Sequence, residues 1–516
     1  MIYADNAATT KMSERAKKVM LETADNFWEN PSSLHSPGQK AAERLYKVRE
    51  DIAKIIGAAP GEIYLTSGGS EADNQALLTA AKIGRRRKKM HIISTAIEHH
   101  AILHALDALK NEGFEITLVP VDEFGRVSPE DIKNAIKDDT VMVSVMFANN
   151  EIGTIEPIEE IAEVCKEKGV LFHTDAVQAA GHLKIDVKKM QIDMLSVSAH
   201  KFHGPKGVGF LYARKGIDLA NVIYGGAQEK GKRGGTENLP AAAGMAEALA
   251  ESYENLEEKA AKTRKVRDRI IKGLSEIPHS ALNGDPENRL CGNINFCFEG
   301  IEGESLLLLL DAKGIAASSG SACTSGSLDP SHVLLAIGRP HEVAHGSLRL
   351  SITEETTEEP AAEETETTEN QHFDKLTLEF VPSKDADVII AGTENLPELV
   401  KAEMAKLGYD IDEVDITVGT SYDATGEAMS AGTIDLGWLP GGTYALYSDD
   451  TEVILTATRN GLSNDSENPA DWNGEANATK KDGPQVTYYR SLIYATPSPY
   501  GKELAAKVNA GEKLTW

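Results

Sequence analysis

One lysine stands out because of the residues on either side of it. Lys201 ends the apolar, β-branched stretch IDMLSVSAHK and precedes FHGPKG, a turn rich in glycine and proline. The apolar run predicts a buried strand and the turn predicts its end, so we expect Lys201 at a strand end that faces a cleft. A partly desolvated lysine loses its proton readily and attacks carbonyl groups, including that of an aldehyde cofactor. A surface lysine on a loop is the alternative, and this stretch alone does not separate the two.

An acidic residue and a glycine-rich turn supply two further parts of a cofactor site. Asp175 closes the apolar run VLFHTD, and Gln178 follows three residues later. A carboxylate at a strand end can keep a pyridine nitrogen protonated, as pyridoxal 5'-phosphate requires in order to act as an electron sink. The stretch EIYLTSGGSEADNQALL predicts a strand, a turn and a helix, so Gly69, Ser70 and the first helical amides could bind a phosphate.

The elements that must position these residues alternate along the first part of the chain. Strands such as VMVSVMF, residues 141–147, alternate with helices such as PIEEIAEVCKEKG, whose apolar residues recur at helical spacing. This alternation predicts an α/β fold, with a mainly parallel sheet covered by helices on both faces. Ligands of such folds gather at the carboxyl ends of the strands, where we expect Asp175 and Lys201.

Length and composition limit the class of protein. The 516 residues, of which 41% are hydrophobic, are enough for two or three domains with sizeable cores. Four cysteines in so long a chain argue against a disulfide framework and fit a reducing compartment. No export signal is evident at the N-terminus and no apolar run reaches membrane-spanning length, which predicts a cytoplasmic protein without a membrane role.

Charge is distributed unevenly. Residues 1–350 contain 42 Lys and Arg against 48 Asp and Glu, whereas residues 351–516 contain 11 against 32, a net charge of −21. The stretch from Thr353 to Asn370 is a Thr/Glu tract without large apolar residues, which predicts an acidic disordered linker. This acidity argues against a nucleic-acid partner. The predicted parts are an enzyme domain over 1–352, a linker over 353–372 and a second α/β unit over 373–516.

Ten short motifs in sequence order resemble those of the cysteine desulfurases of the NifS and IscS type, which are class V aminotransferase-like enzymes. They are YADNAATT, NPSSLHSPGQKA, TSGGSEADN, EHHAI, NNEIG, HTDAVQA, SAHKFHGPKG, RGGTENLP, SSGSACTSGS and HGSLRLS. The resemblance implies the large domain of PLP fold-type I and a truncated small α+β domain built from about residues 1–12 and 250–352. It also implies conversion of L-cysteine to L-alanine, with the sulfur passed to an iron–sulfur scaffold or a tRNA-thiolation protein.

The same resemblance implies a role for each matching residue. The implied cofactor site consists of Gly69, Ser70, His99, Asn150, Asp175, Gln178, Ser198, His200, Lys201 and Thr236. Lys201 would carry the cofactor and move the substrate Cα proton, and His99 would stack on the cofactor ring. Thr236 would reach the phosphate from a partner subunit, which implies a homodimer. Arg349 and Asn150 would bind the substrate, Arg349 through the bidentate fork that suits a carboxylate.

Cys323 is the expected sulfur acceptor within the chain. Small residues surround it in AASSGSACTSGSLDP, which predicts a mobile, exposed thiol. A sulfur-transfer cysteine must attack the substrate sulfur and then present the resulting persulfide outside the pocket. A selenocysteine lyase or another class V PLP enzyme is the near alternative.

A rival motif lies nearby. His341, Glu342 and His345 in PHEVAHG fit HExxH, which in zinc proteases places two ligands and a general base on one helix face. Gly338, Pro340 and the following glycine leave room for little more than one helical turn. We therefore predict no metal site here, and a metalloprotease stays a remote alternative.

The last part of the chain resembles a different family. From KLTLEFVPSKD onward, strands and helices resemble the first lobe of a phosphonate or phosphate substrate-binding protein of an ABC importer. In that family Ser421, Tyr422 and the turn over 437–444 would lie toward the ligand cleft, although structural roles for these turn residues are equally favoured. The two resemblances meet in the Thr/Glu tract, which suggests a gene fusion or an assembly chimera; a phosphonate-binding module is a remote alternative function.

Overall fold

The computed structural model describes residues 1–319, 330–357, 371–382, 386–393, 395–406, 409–440, 452–460 and 485–495. Cys323 and residues 358–370 of the Thr/Glu tract lie outside these ranges. The chain divides into two compact units, Met1–Ala361 and Ala362–Trp516, and the domain boundaries predicted from sequence stay a prediction. Within the described ranges, no helix combines the length and apolar character needed to cross a membrane.

The first unit alternates strands and helices. Its strands are β1 (Ile2–Tyr3), β2 (Ile63–Thr66), β3 (His91–Thr95), β4 (Glu115–Val119), β5 (Thr140–Ser144), β6 (Leu171–Asp175), β7 (Met194–Ser198), β8 (Gly209–Ala213), β9 (Ser280–Leu282), β10 (Asn293–Phe298), β11 (Ile315–Ala316) and β12 (Ser347–Ser351). Its helices are α1 (Glu14–Asn26), α2 (Ser36–Ile56), α3 (Gly69–Arg87), α4 (His100–Asn111), α5 (Pro129–Ala135), α6 (Ile158–Lys168), α7 (Gln228–Gly231), α8 (Leu239–Tyr253), α9 (Leu256–Ser275), α10 (Gly303–Asp311), α11 (His332–Ala336) and α12 (His341–Ala344).

Seven strands form the central sheet in the order β2-β8-β7-β6-β5-β3-β4. Only β8 runs against its neighbours, so the described sheet is mainly parallel, as the sequence predicts. Helices α2, α6 and α8 pack on one face, and α3 and α4 pack on the other. Because both faces are covered, every residue of β3, β5, β7 and β8 is buried.

Local sequence explains where these elements end. Helix α6 buries Ile158, Ile161 and Cys165 on one face, and Gly169 ends it in a left-handed conformation with φ 65°. Strand β7 ends at Ser198 and continues as a single 3-10 turn, Ala199–Lys201. These ends place functional side chains at the carboxyl edge of the sheet.

A smaller sheet lies beside the chain's first residues. Strands β12, β10 and β9 form an antiparallel sheet, and β1 pairs in parallel with β11. Asp5 forms a bridge with Ser351, which ties the N-terminal segment to β12. The small sheet therefore meets the beginning of the chain next to Arg349 on β12.

The second unit has its own sheet and core. Its strands are β13 (Gln371–Phe380), β14 (Tyr409–Val418), β15 (Leu436–Pro440), β16 (Glu452–Asn460) and β17 (Gln485–Ala495), in the order β14-β13-β15-β17-β16. Its described helices are α13 (Ala386–Gly392), α14 (Leu396–Lys406) and α15 (Tyr422–Ser430). Helices α13 and α14 both lie between β13 and β14 in the chain. Leu378, Val400 and Leu436 are buried in the core of this unit.

Candidate active site

Lys201 lies at the end of the 3-10 turn that follows β7. Its Nζ atom donates hydrogen bonds to the backbone oxygens of Ala7, at 2.6 Å, and Ala8, at 2.8 Å. These carbonyls belong to the N-terminal segment, so the segment lies directly over the amine. The structure thus places Lys201 at a strand end, in contact with the beginning of the chain.

Asp175 lies at the end of the neighbouring strand, β6. Its side chain is buried, and its Oδ1 atom accepts a hydrogen bond from the Val177 amide at 2.9 Å. Burial raises the pKa of Asp175 to about 6, while the Val177 amide and the positive charge of Lys201 act in the opposite direction. Asp175 is therefore largely ionised at neutral pH although it is buried.

The N-terminal segment connects several of the predicted residues. Ala7 O, which accepts from Lys201, also accepts from Gln178 Nε2 at 3.0 Å. The Ala7 amide donates to Ser351 Oγ at 2.8 Å. Backbone groups of residues 7 and 8 therefore hold the lysine and the glutamine together, a contact that sequence patterns did not indicate.

The turn before α3 brings the start of the helix close to Ser198. Gly69 begins the helix, and a Cβ atom there would lie 2.6 Å from Val177 Cγ2, so only glycine fits without a shift. Ser198 lies close by, since a Cβ atom on Gly68 would be 3.4 Å from Ser198 Oγ. The first amides of a helix have no acceptor within the helix, so Gly69 and Ser70 present donors beside Ser198.

His99 caps the N-terminus of α4. Its Nδ1 atom accepts a hydrogen bond from the Ala101 amide at 3.1 Å, which puts the proton of the neutral ring on Nε2. Burial lowers the pKa of His99 to about 4, and the charge of Lys201 adds to this effect. Burial, followed by Lys201, likewise lowers the pKa of His200 to about 4, and its Nδ1 atom lies 3.2 Å from Thr9 Oγ1. Both imidazoles are therefore neutral at physiological pH.

Arg349 lies on β12 with only 2% of its side chain exposed. Its Nη2 atom is 2.8 Å from Asp5 Oδ1, and its Nη1 atom donates to the backbone oxygen of Asn150 at 3.1 Å. The structure thus brings the two predicted substrate residues into contact. Sequence analysis missed Asp5, although its charge within the motif YADNAATT was a usable signal.

One predicted residue is not joined to this group, and another falls outside the described residues. Thr236 is exposed in the loop before α8, and no described contact links it to the other predicted residues of its own chain. Cys323 lies outside the described residues, between Ser319 and Pro330. The helix of the HExxH motif, α12, has four residues, and the rings of His341 and His345 lie 4.7 Å apart.

Glu98 is a second residue that sequence analysis missed. It is fully buried, and its Oε1 atom accepts hydrogen bonds from Thr95 Oγ1 at 2.7 Å and from the Met146 amide at 2.9 Å. Burial raises the pKa of Glu98 to about 8. Its position in EHHAI, next to His99, was the only sequence signal for it.

Comparison with known proteins gives a consistent result. Residues 2–362 match the family Aminotransferase class-V. The cysteine desulfurase IscS of Clostridium botulinum (strain Hall) is 55% identical over 361 residues, which cover 69% of this chain and 91% of that protein. A solved structure titled as a NifS-like protein aligns with a TM-score of 0.65 at 38% identity, covering 69% of this chain and 95% of that one. A structure titled SspA in complex with cysteine aligns with a TM-score of 0.62 at 34% identity, covering 68% and 99%.

Proposed function

The chain belongs to the class V aminotransferase family, and from this premise we propose that Lys201, Asp175 and Cys323 carry out the desulfuration of L-cysteine. Enzymes of this family use pyridoxal 5'-phosphate, and the reaction is that of a PLP-dependent cysteine desulfurase. The observation that carries the residue assignment is the pairing of a lysine amine with a buried, ionised carboxylate at adjacent strand ends.

The residues present fit this cofactor. Gly69 packs against Val177 too closely for a Cβ atom, and the first helical amides beside Ser198 form a cradle that supplies donors for a phosphate. Asp175 is a buried carboxylate suited to a protonated pyridine nitrogen, and Lys201 is a primary amine within the same group of contacts. Neutral His99 supplies an aromatic face without adding a charge.

The cofactor, when bound, supplies an electron sink for the bond changes at the substrate Cα atom. The protein's own residues then orient the substrate and move its protons. Lys201 takes and returns the Cα proton, because it is a primary amine near enough to Asp175 and His99 for its charge to act on both. Arg349 binds the substrate carboxylate, while Asp5 and the Asn150 carbonyl hold its guanidinium in place. His99, with its Nδ1 atom fixed by the Ala101 amide, can donate only through Nε2.

Peptide mapping tests the lysine assignment. Borohydride treatment of the PLP-loaded chain should leave a pyridoxyl group on the peptide that contains Lys201. Lys201→Ala should lose both the covalent cofactor and turnover, whereas Lys206→Ala, at an exposed neighbouring position, should keep both. A pyridoxyl group on any other lysine would show that the assignment is wrong.

We propose Cys323 as the residue that receives the sulfur. Its thiolate would attack the substrate sulfur and take it as a persulfide, leaving L-alanine. Cys323→Ser should still bind L-cysteine but should release no sulfide, measured colorimetrically with a reductant present. Cys291→Ser is the control, since burial raises the pKa of that thiol and makes it a poor nucleophile. Full sulfide release by the Cys323 variant would contradict the proposal.

The partners proposed are L-cysteine, a sulfur-acceptor protein and a second copy of the chain. The exposed large side chains Trp28, Leu34 and Tyr224 support a homodimer, as does the exposed position of Thr236. Sedimentation equilibrium of the full chain tests the dimer. A cytoplasmic location and an iron–sulfur or tRNA-thiolation acceptor remain predictions from sequence.

A further inference from the structure

A row of polar side chains is buried behind Asp175, on the sheet face that packs against α3. Asp73, from the first turns of α3, is 1% exposed, and His173 and Ser196 are fully buried. His173 Nε2 lies 3.0 Å from Ser196 Oγ and 3.8 Å from Asp73 Oδ1. His173 Nδ1 lies 2.9 Å from Ser144 Oγ, and Ser196 lies near enough to Asp73 to lower the pKa of its carboxyl group. The row therefore runs from Asp73 through Ser196 and His173 to Ser144.

Strand register fixes this arrangement. Asp175 pairs with Ser196 across β6 and β7, and His173 pairs with Ser144 across β6 and β5. Residues two apart on a strand point to the same face, so His173 and Asp175 both face α3. Helix α3 then brings Asp73 against this face. Two buried carboxyl groups, Asp73 and Asp175, consequently lie close enough to influence each other.

The surroundings of Asp73 disfavour a second negative charge. Its Oδ1 atom is buried and has no hydrogen-bond partner among the described residues. Burial raises the pKa of Asp73, and the charge of Asp175 raises it further, while Ser196 acts in the opposite direction. His173 offers no compensating cation, because burial lowers its pKa to about 3. The charge of Lys201 acts on Asp175, which favours the anion at that position.

We propose that Asp73 is a positioning residue that keeps a proton at neutral pH, so that the buried pair carries its single negative charge on Asp175. When Asp73 is protonated, every hydrogen bond of the row can be donated in the same direction, from Asp73 toward Ser144. Asp73 donates to Ser196, the Ser196 hydroxyl donates to His173 Nε2, and His173 Nδ1–H donates to Ser144. Ser196 and His173 then each donate one hydrogen bond and accept another without an added charge, and the unpartnered Asp73 Oδ1 atom does not have to carry one.

The consequence concerns the cofactor site. Like charges in one buried site push one pKa upward, so an ionised Asp73 would make Asp175 harder to ionise. A neutral Asp73 leaves Asp175 free to hold the charge that a protonated pyridine nitrogen requires. This consequence rests on the proposed role of Asp175, whereas the proton on Asp73 can be tested without any cofactor.

Infrared difference spectroscopy of the full chain tests the proposal, with PLP bound and after its removal. At neutral pH, subtracting the Asp73→Asn spectrum from that of the unchanged protein should reveal the carbonyl stretch of a protonated carboxyl group. The matched control is Asp107→Asn, at an exposed position, which should remove a carboxylate stretch instead. If Asp73→Asn also removes a carboxylate stretch, Asp73 is ionised and the proposal is overturned.

A second variant keeps the test decisive if Asp73→Asn does not fold. Ser196→Ala removes the hydrogen-bond partner of Asp73, so the protonated carbonyl stretch should remain and shift in frequency. Ser94→Ala should leave it unmoved, because the Ser94 hydroxyl donates to the Ser144 backbone oxygen and touches neither Asp73 nor Ser196. If the carbonyl band is unshifted in Ser196→Ala, Asp73 does not hydrogen-bond with Ser196 and is not part of the row. Failure of the Lys201 peptide map would leave these infrared results unaffected, so the two proposals fail separately.

Discussion

The first unit contains buried ionisable side chains, whereas the ionisable side chains on β13 and β14 of the second unit are exposed to solvent. Glu98 is fully buried with a pKa raised to about 8, because no solvent stabilises its ionised form. His372 on β13 is half exposed and lies 3.3 Å from Asp410 and 3.4 Å from Asp412. A hydrogen bond that His372 donates to Asp410 and the charge of Asp412 raise the pKa of His372. Burial is the main cause of the pKa shift of Glu98 in the first unit, whereas neighbouring carboxylates are the main cause of the pKa shift of His372 in the second. Strongly desolvated ionisable groups in a cleft are the ones typical of functional sites.

Two ion pairs of almost equal length make the same comparison. Arg349 and Asp5 are 2.8 Å apart with Arg349 buried, and Lys375 and Asp415 are 2.9 Å apart with both side chains about 40% exposed. From the distances alone, the two ion pairs would be expected to contribute equally to stability. Burial separates them, because solvent and salt screen the exposed pair and leave the buried pair unscreened.

The largest effect should come from breaking the buried pair. Arg349→Ala leaves Asp5 without its cation in a poorly solvated position and should destabilise the first unit by about 3 kcal/mol. Lys375→Ala, the matched change in the second unit, should leave stability unchanged within error. Urea titration followed by hydrogen-exchange mass spectrometry reports each unit separately. Equal effects of the two variants would mean that burial does not distinguish these pairs.

A smaller effect should appear in the pH dependence of stability. The pKa of Glu98 is about 8 in the folded protein against an ordinary value of 4.5, so the folded state holds a proton that the unfolded chain has released between these values. Stability from this group is complete below the ordinary pKa and is lost as the pH rises through about 8. Glu98→Gln should therefore flatten the fall in melting temperature between about pH 4.5 and pH 8.

The slope should be reduced and not abolished, because burial also raises the pKa values of Glu151 and Glu156. Glu163→Gln on the exposed face of α6 is the control and should reproduce the slope of the unchanged protein. If the Glu98 variant shows the same slope as this control, the buried carboxyl group does not titrate as described.

The smallest effect, none at all, is expected from adding phosphate, phosphite or a small alkylphosphonate to the PLP-loaded full chain. PLP is kept bound so that the phosphate donors of the first unit do not contribute to the heat. Binding proteins of the resembling type enclose their ligand between two lobes, and residues 373–516 are predicted to supply one. Ser421 caps α15 by accepting from the Ala424 amide at 3.0 Å, a structural role that leaves it less available for a ligand.

The net charge of −21 over residues 351–516 further repels anions. Calorimetry of the PLP-loaded chain should show no heat beyond dilution. A micromolar affinity, about 8 kcal/mol, would show that the second unit contains a complete anion site.

Much of the fold around the site could be predicted from periodicity and turn residues. The helix predicted at PIEEIAEVCKEKG is α6, Ile158–Lys168, and Gly169 ends it as a left-handed cap should. The strand predicted over 141–147 is shorter, Thr140–Ser144, although residues 145–147 remain buried and the Val145 and Phe147 amides still donate to β6 backbone oxygens. A run of apolar residues indicates where the chain is buried. Burial continues beyond the last paired residue of this strand, so the length of the strand could not be predicted from the apolar run.

The sequence by itself determined the class of fold, the positions of Lys201 and Asp175 at strand ends, and the family. These follow from local patterns, which act over one strand, turn or helix. Only the tertiary structure decided that Asp5 pairs with Arg349 across 344 positions of the chain, and that Asp73 packs behind Asp175 through Ser196. The physical reason is that desolvation and charge coupling depend on distance in space and on exclusion of water. Packing alone creates both.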